Sequence, residues 1–465
     1  RKYVLHVIDS PFRNFILDEL GYDTPKKKES FYSGEERVID QLLRKARYLP
    51  TTPQFKDQRG VLCPALEFLK GEMTRKIVKW LSLRNRRSVI QTKDETKNTG
   101  WLNNERLTID GKLSAAYTGL TNTNRRKHTV VANVPKNDPD VLLGKEMREL
   151  FTVPEGMWQI GTDASNLEGF VAAWLAWDFD NGAYYEGLSG DPHTTNAEAY
   201  SKASGTLISR GDGKAITYGV MYGAQAAKVA AMLGIDKDKA QDVIDAFWDT
   251  NFGLKGAKEA LEKYWEGTGK KFIRGIDGRK IFTRSKHSLL NARIQSCGAL
   301  LMDLAGVIWH EKATKAGLLD LGVARTIYYH DEYQHQIPEN LVRWKHFPTG
   351  MDNRNTIESV VQEVAKAAKN EKKGKPFKTN LEIAEGLQLT LEQVYGILSA
   401  KKSAEDLKID GFVLAGNIRL FDDGSFGKGY TKAGQLMVEA IEEATKQMGC
   451  PFDISGEYML GRNWG

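Results

Sequence analysis

Arg210, Lys214 and Tyr218 fall within one stretch, SRGDGKAITYGVMYGA, and they recur at every fourth position. On an α-helix that interval lines up one face, each residue about a turn beyond the last. Two cations followed by a phenol ring make a poor core face. They make a good face for a nucleoside triphosphate, with guanidinium and ammonium on the phosphates and the ring against sugar and base. Alone, the three residues fit a solvated basic stripe at least as well, so the flanking segments have to decide.

Both flanking segments carry acids at strand ends. Upstream, WQIGTDASNLEGFVAAWLA puts Asp163 at the end of a short apolar run and follows it with a long apolar, helix-like stretch. Downstream, ARTIYYHDEYQHQIP sets His330-Asp331-Glu332 between two alternating runs, the pattern of a β-hairpin with the acids at its turn. Two strands presenting carboxylates beside a phosphate-binding helix is the arrangement that two-metal phosphoryl transfer requires. Hard oxygen ligands hold two Mg²⁺ ions, one activating the attacking hydroxyl and one steadying the leaving pyrophosphate.

The order DASNLEG, RGDGKAITYG, HDE resembles motifs A, B and C of the DNA polymerase I family (family A), most closely its bacteriophage replicative branch. GIDGRKIFTRSKHSLLNARIQSCGALLMDLA, between the second and third motifs, resembles the same branch. The likeness covers about residues 100 to 343. It is weaker over the last thirty residues, which end in GEYMLGRNWG, and before residue 100 it rests on SPFRNFILDELGYD, similar to the helix that opens the polymerase thumb.

The resemblance implies an α/β (α+β) right hand. The thumb would be 9–106, the palm 107–175, 318–343 and 433–465, and the fingers 176–317, with an insertion at 344–432. It implies template-directed addition of deoxynucleoside triphosphates to the 3′ end of a DNA primer-template, with two Mg²⁺ as cofactors. By the same resemblance Asp163 and Asp331 are the metal carboxylates, completed by the main-chain carbonyl of Ala164, and Glu332 is a supporting acid. Lys214 neutralises the α-phosphate region and can protonate the leaving pyrophosphate, while Arg210 holds the γ-phosphate. Tyr218 stacks on the incoming nucleotide, Tyr222 lies behind the templating position, and His330 holds the primer's terminal phosphate. Glu168, five after Asp163, closes the space that a ribose 2′-hydroxyl would need. That residue argues against the runner-up, a single-subunit RNA polymerase, whose similar motifs lack it.

Three more segments extend the resemblance. TNTNRRKHTVVANVPK is similar to the family's TGR…NLQNIP segment, which grips the primer-template, and it would give that role to Arg125. Asn124 stands where the family has Gly, and Asn tolerates positive φ, so the turn can survive. Gly190-Asp191-Pro192-His193 matches a GDxH element that opens the fingers and brings His193 toward the nucleotide; its plainer reading is a turn and an N-cap. Gln295 matches a polar residue that points at the nascent base pair. LTIDGKLSAAY, 107–117, reads as strand, Asp-Gly turn, strand.

Residues 344–432 find no counterpart in compact phage relatives. They contain a basic tract, KAAKNEKKGKPFK, read as flexible. TNLEIAEGLQLTLEQVYGILSAKK reads as two short helices like a helix-turn-helix, and GNIRLFDDGSF as a hairpin with an Asp-Gly turn. The expected role is a lobe touching nucleic acid or a replisome protein; the alternative is an inert surface insertion.

Net charge is only +6, so affinity for nucleic acid must come from local clusters: Lys26 to Lys28, Arg84 with Arg86-Arg87, and Arg125-Arg126-Lys127. The apolar stripe Leu66, Leu69, Met73, Ile77, Trp80, Leu81 predicts a basic-faced thumb helix, and Ser10-Pro11 predicts a helix start. Residues 1–8 read as a short strand. Three scattered cysteines suggest neither zinc nor a closed disulfide set. With no membrane-length apolar run and no secretory signal, the cytoplasm is expected, that of a host if the gene is phage-borne. The chain opens at Arg1 rather than Met, as a piece of a longer product does, and its first hundred residues hold no acid cluster of the kind a proofreading exonuclease needs. Two other functions compete: a silent DNA-binding accessory protein, disfavoured by the intact carboxylates, and a metal-dependent nuclease, which gives no reason for the Arg210–Lys214–Tyr218 face.

Overall fold

The computed structural model describes residues 79, 82–83, 85–90, 100–102, 107–108, 111–138, 141–372, 375–409, 412–413 and 417–464. The strand at 1–8, the helix start at Ser10, the Lys26–Lys28 cluster and the apolar stripe from Leu66 to Leu81 lie outside the described residues.

The predicted hairpin at 107–117 is reduced to one bridge, Leu107 to Leu113. The Thr108 amide donates to the Lys112 carbonyl at 2.8 Å, and the end of the segment pairs instead with residues 128–129, the Thr129 amide donating to the Ala116 carbonyl at 3.0 Å and Tyr117 lying opposite His128. The first regular hairpin follows it, β1 (Tyr117–Leu120) and β2 (Arg126–His128), and its turn carries Asn124 at φ 65°. The short helix α1 (Gly144–Glu149) precedes the long strand β3 (Met157–Ala164).

From β3 the chain enters a helical block: α2 (Leu167–Asp180), α3 (Ala183–Leu188), α4 (Pro192–Ser204), α5 (Arg210–Met221), α6 (Ala226–Leu233), α7 (Lys237–Thr250) and α8 (Phe252–Gly267). The small hairpin β4 (Phe272–Arg274) and β5 (Lys280–Phe282) leads into the longest helix among the described residues, α9 (Leu289–Lys315). The acidic hairpin is β6 (Ala324–Tyr329) and β7 (Glu332–Pro338), and β8 (Arg343–Pro348) follows it. Next come α10 (Arg354–Lys372), α11 (Asn380–Gly386), α12 (Leu391–Asp406), β9 (Lys408–Ile409), β10 (Phe412–Val413), β11 (Ile418–Leu420) and β12 (Ser425–Tyr430). The chain closes with α13 (Lys432–Gln447) and β13 (Gly456–Gly461).

Four strands from distant parts of the chain make one antiparallel sheet in the order β13-β3-β7-β6. Register places Asp163 between Glu457 on β13 and Glu332 on β7. The helices α9 and α13 pack together behind this sheet. One apolar cluster runs from it into the helical block, joining Ile160, Val171, Ile216, Phe247, Leu301 and Ile441. Sheet and helical block therefore share a core.

Residues 349–424 have a core of their own, in which Ile357, Val360, Ala384, Val394 and Ile397 cover Phe426. They leave through β8 and return through β12, which pair directly with each other. Both predicted helices of the helix-turn-helix form, each opened by a capping box, Thr379 with Glu382 and Thr390 with Gln393. The predicted β11–β12 hairpin also forms. Of the tract read as flexible, residues 366–378, the first half belongs to helix α10, which reaches Lys372, and residues 375–378 are in neither helix nor strand. Ala, Lys and Glu are strong helix formers, and the buried Ile357 and Val360 anchor the helix at its other end.

Candidate active site

The helix α5 forms as the fourfold spacing predicts. Ser209 caps it, its hydroxyl accepting from the Asp212 amide at 3.1 Å. Gly213, Ile216, Thr217, Val220 and Met221 are buried, which leaves Lys214 exposed and Tyr218 half-buried on the other face. Gly213 lets α5 lie against α4; a Cβ there would come 2.7 Å from the Ala197 Cβ and 2.9 Å from the His193 carbonyl oxygen. Below it, Thr217 Oγ1 accepts from Asn196 Nδ2 at 3.1 Å and lies 3.0 Å from the Tyr200 hydroxyl, a buried polar link between the two helices.

The acids meet at the neighbouring strand ends. Asp163 is the penultimate residue of β3, and the amide of Ala164, which ends the strand, donates to the Asp331 carbonyl at 3.4 Å in the turn of the β6–β7 hairpin. His330 sits at that turn with φ 61°. Partial burial, then the charges of Asp331, Glu332 and Glu457, push the Asp163 carboxyl up from 3.8 to about 8. Glu332 is turned away into a network: it accepts from Trp464 Nε1 at 2.7 Å and from Gln334, and it pairs with Arg148 at 3.5 Å. This crowd of carboxylates wants a cation. Oxygen donors of this kind suit Mg²⁺, which takes one or two protein carboxylates and fills its remaining positions with water and substrate phosphates. Among the described residues no group of three or more His, Cys, Asp or Glu side chains is arranged to hold a metal ion by itself.

Contacts between the two halves run through the turn after β3. Glu168 is held from both sides, by Arg125 Nη2 at 2.8 Å and by the Tyr222 hydroxyl. Arg125, expected on the primer-template, is thus directed onto Glu168, because the β1–β2 turn lies against the start of α2. Tyr218 donates its hydroxyl to Asn166 Oδ1 at 3.1 Å. His193 lies beside the Tyr218 ring, centroids 5.9 Å apart, and its pKa is lowered by burial and then by the charges of Lys214 and Arg210.

Asp191 is the N-cap of α4, as its plainer reading held, accepting from the Thr194 amide and hydroxyl. It also accepts from Arg210 Nε at 2.7 Å, so the guanidinium expected on a γ-phosphate is parked on a carboxylate. Lys214 is exposed and has no ion-pair partner among the described residues. His330 faces the His128 ring at 5.6 Å; burial, then the Arg125 charge, lowers its pKa. Gln295 is half-buried on α9, one residue before Ser296, to which Asn124 Nδ2 donates at 3.4 Å. Sequence reasoning missed Asn166, Arg148 and Trp464. Only Asn166 left a signal, since Asn directly after a strand-end Asp-Ala-Ser suits a left-handed turn.

The family description DNA polymerase family A matches residues 9–366. The DNA-directed DNA polymerase of Escherichia phage T7 is 31% identical over 195 residues, covering 38% of this chain and 27% of that protein. The thermostable DNA polymerase I of Thermus filiformis is 25% identical over 254 residues, covering 51% of this chain and 28% of its own length. The chain thus spans about a quarter of the curated relatives it matches. A solved structure, the POL domain of Pol1 from M. smegmatis in complex with DNA primer-template and dNTP, aligns with a TM-score of 0.56 at 15% identity, covering 97% of this chain and 63% of that one. At that identity the likeness speaks for the fold alone. No described helix is long and apolar enough to cross a membrane. Since the family match takes in well over half of its residues, the chain belongs to DNA polymerase family A.

Proposed function

We propose that this chain catalyses template-directed addition of deoxynucleotides to a DNA primer, using two Mg²⁺ ions. The observation that carries this reading is the Tyr218–Asn166 bond, which ties the face of α5 to the turn three residues after Asp163, whose strand pairs with the one that follows Asp331. Asp163, Asp331 and the Ala164 carbonyl would hold the ions, which supply charge neutralisation and an activated primer hydroxyl when bound. Arg210 exchanges Asp191 for the γ-phosphate, a trade between two charge-assisted contacts. Lys214 meets the α-phosphate region and hands a proton to the departing pyrophosphate. Tyr218 stacks on sugar and base, and Glu168, braced by Arg125 and Tyr222, fills the space beside C2′. With primer-template, the four deoxynucleoside triphosphates and Mg²⁺, the purified chain should extend the primer as the template dictates and stop on addition of EDTA. Incorporation that ignores the template, or none at all, would overturn the reading.

The lobe at 344–432 is proposed to touch nucleic acid through the basic edge that carries Lys369 and Lys375 rather than through α12. The exposed residues of α12 include Glu392, Glu405 and Asp406 against Lys402, a poor face for phosphate. Thr349 Oγ1 donates to the Gly424 carbonyl at 2.6 Å, so a short linker can replace residues 350–423. That deletion should leave single-nucleotide addition within about twofold while flattening the salt dependence of DNA binding by roughly one unit of slope per lost phosphate contact. An unchanged slope on titrating salt would leave only docking of a replisome protein or an inert role for the lobe.

A further inference from the structure

Asn166 begins α2 in the left-handed region, φ 48° and ψ 40°, and makes no side-chain capping bond. An Asn at a helix start ordinarily turns its carbonyl onto the amide of the second or third helical residue. Here that oxygen accepts from the Tyr218 hydroxyl at 3.1 Å, reaching from the strand-end turn to the middle of α5. Gly169 leaves room for it: a Cβ there would stand 2.6 Å from both terminal atoms of the Asn166 amide. The three residues line one cavity of about 160 Å³ together with Tyr184, His193 and Thr217. A side chain lifted off its own helix, a glycine cleared beneath it and an aligned acceptor make a built contact.

We propose that Asn166 is a positioning residue that fixes the Tyr218 ring independently of the substrate and so sets how the site responds to the 3′ position of the incoming sugar. This rests on the polymerase reading above. A tyrosine hydroxyl has one proton to donate and two lone pairs. With its proton on Asn166 Oδ1, the ring stays in place whether or not the sugar carries a 3′-hydroxyl to hold it. Deoxy and dideoxy nucleotides then meet the same surface and are used with similar efficiency. Without the anchor, the ring depends on the sugar contact, and the dideoxy substrate loses more.

Single-nucleotide extension with matched deoxy and dideoxy triphosphates tests this. Asn166→Gly removes the side chain while keeping a residue at ease with positive φ. It should raise discrimination against the dideoxynucleotide about threefold to tenfold, the worth of one net hydrogen bond, chiefly through KM. Tyr218→Phe should do the same, and Asn166→Gly in the Tyr218→Phe background should add nothing, because the two variants break one bond. Asn166→Asp keeps the acceptor oxygen and should restore the wild-type ratio; its extra charge acts equally on both triphosphates and cancels. An unchanged ratio in Asn166→Gly, or effects that add fully in the double variant, would overturn the proposal. A wild-type chain that extends no primer would instead defeat the polymerase reading, so the two failures are distinguishable.

Discussion

Asp163→Ala and Asp331→Ala should each lower primer extension by on the order of a thousandfold or more, since each removes charge stabilisation from a site built on two carboxylates. Duplex binding should change little, because neither residue lies in a basic cluster. Asp163→Asn separates loss of chemistry from loss of fold. The Asp163 carboxyl stands at about 8 in the folded chain against an ordinary 3.8. A carboxyl raised on folding contributes stability that is complete below pH 3.8 and fades as pH climbs toward 8. The metal-free wild type should therefore lose stability over that window, and Asp163→Asn should not. At pH 8 without metal the Asn variant should melt higher than wild type, and the gap should close near pH 4. Solvent reaching Asp163 screens the repulsion, so the gap should be small, about 1–3 °C. Mg²⁺ should raise the melting temperature of the wild type more than that of the variant. A variant that extends primers at near wild-type rate, or melts identically at both pH values, would remove Asp163 from the metal site.

Glu168→Ala should lower discrimination against ribonucleotides by about 10- to 100-fold and slow deoxynucleotide addition as well. Its carboxylate is not a loose gate. Arg125 and Tyr222 hold it from opposite sides, one on the β1–β2 turn and the other at the end of α5. Arg125→Ala should accordingly relax the same selectivity part of the way, which a primer-gripping arginine alone would not do. Competing ribo- and deoxynucleotide incorporation at one template position measures both; unaltered discrimination in Glu168→Ala would mean that another group excludes the 2′-hydroxyl.

Features that depend on short-range periodicity could be read from the residues. The i, i+4 face of α5, its Ser209 cap, the hairpin that carries His330-Asp331-Glu332 and the capped helices α11 and α12 all follow from local spacing and turn chemistry. Asn124 takes the positive φ expected of an Asn in a Gly position. The hairpin expected at 107–117 is one bridge between Leu107 and Leu113, and the end of the segment pairs with β2 instead. A turn residue specifies a reversal, whereas which strand becomes the ladder partner depends on what packs beside it.

The sequence by itself determined which residues could do phosphoryl transfer and the order in which they come. Pairing among side chains 19 or more residues apart was decided only by the tertiary structure: Arg125 on Glu168, Tyr218 on Asn166, Arg210 on Asp191 rather than left free, Glu332 drawn into the Trp464–Arg148 network. Most of these contacts bridge separate strands, turns and helices, and their distances are set by how the shared core of Ile160, Val171 and Ile216 packs. Helical and strand periods report which face a residue occupies; they carry no information about which other face it will meet.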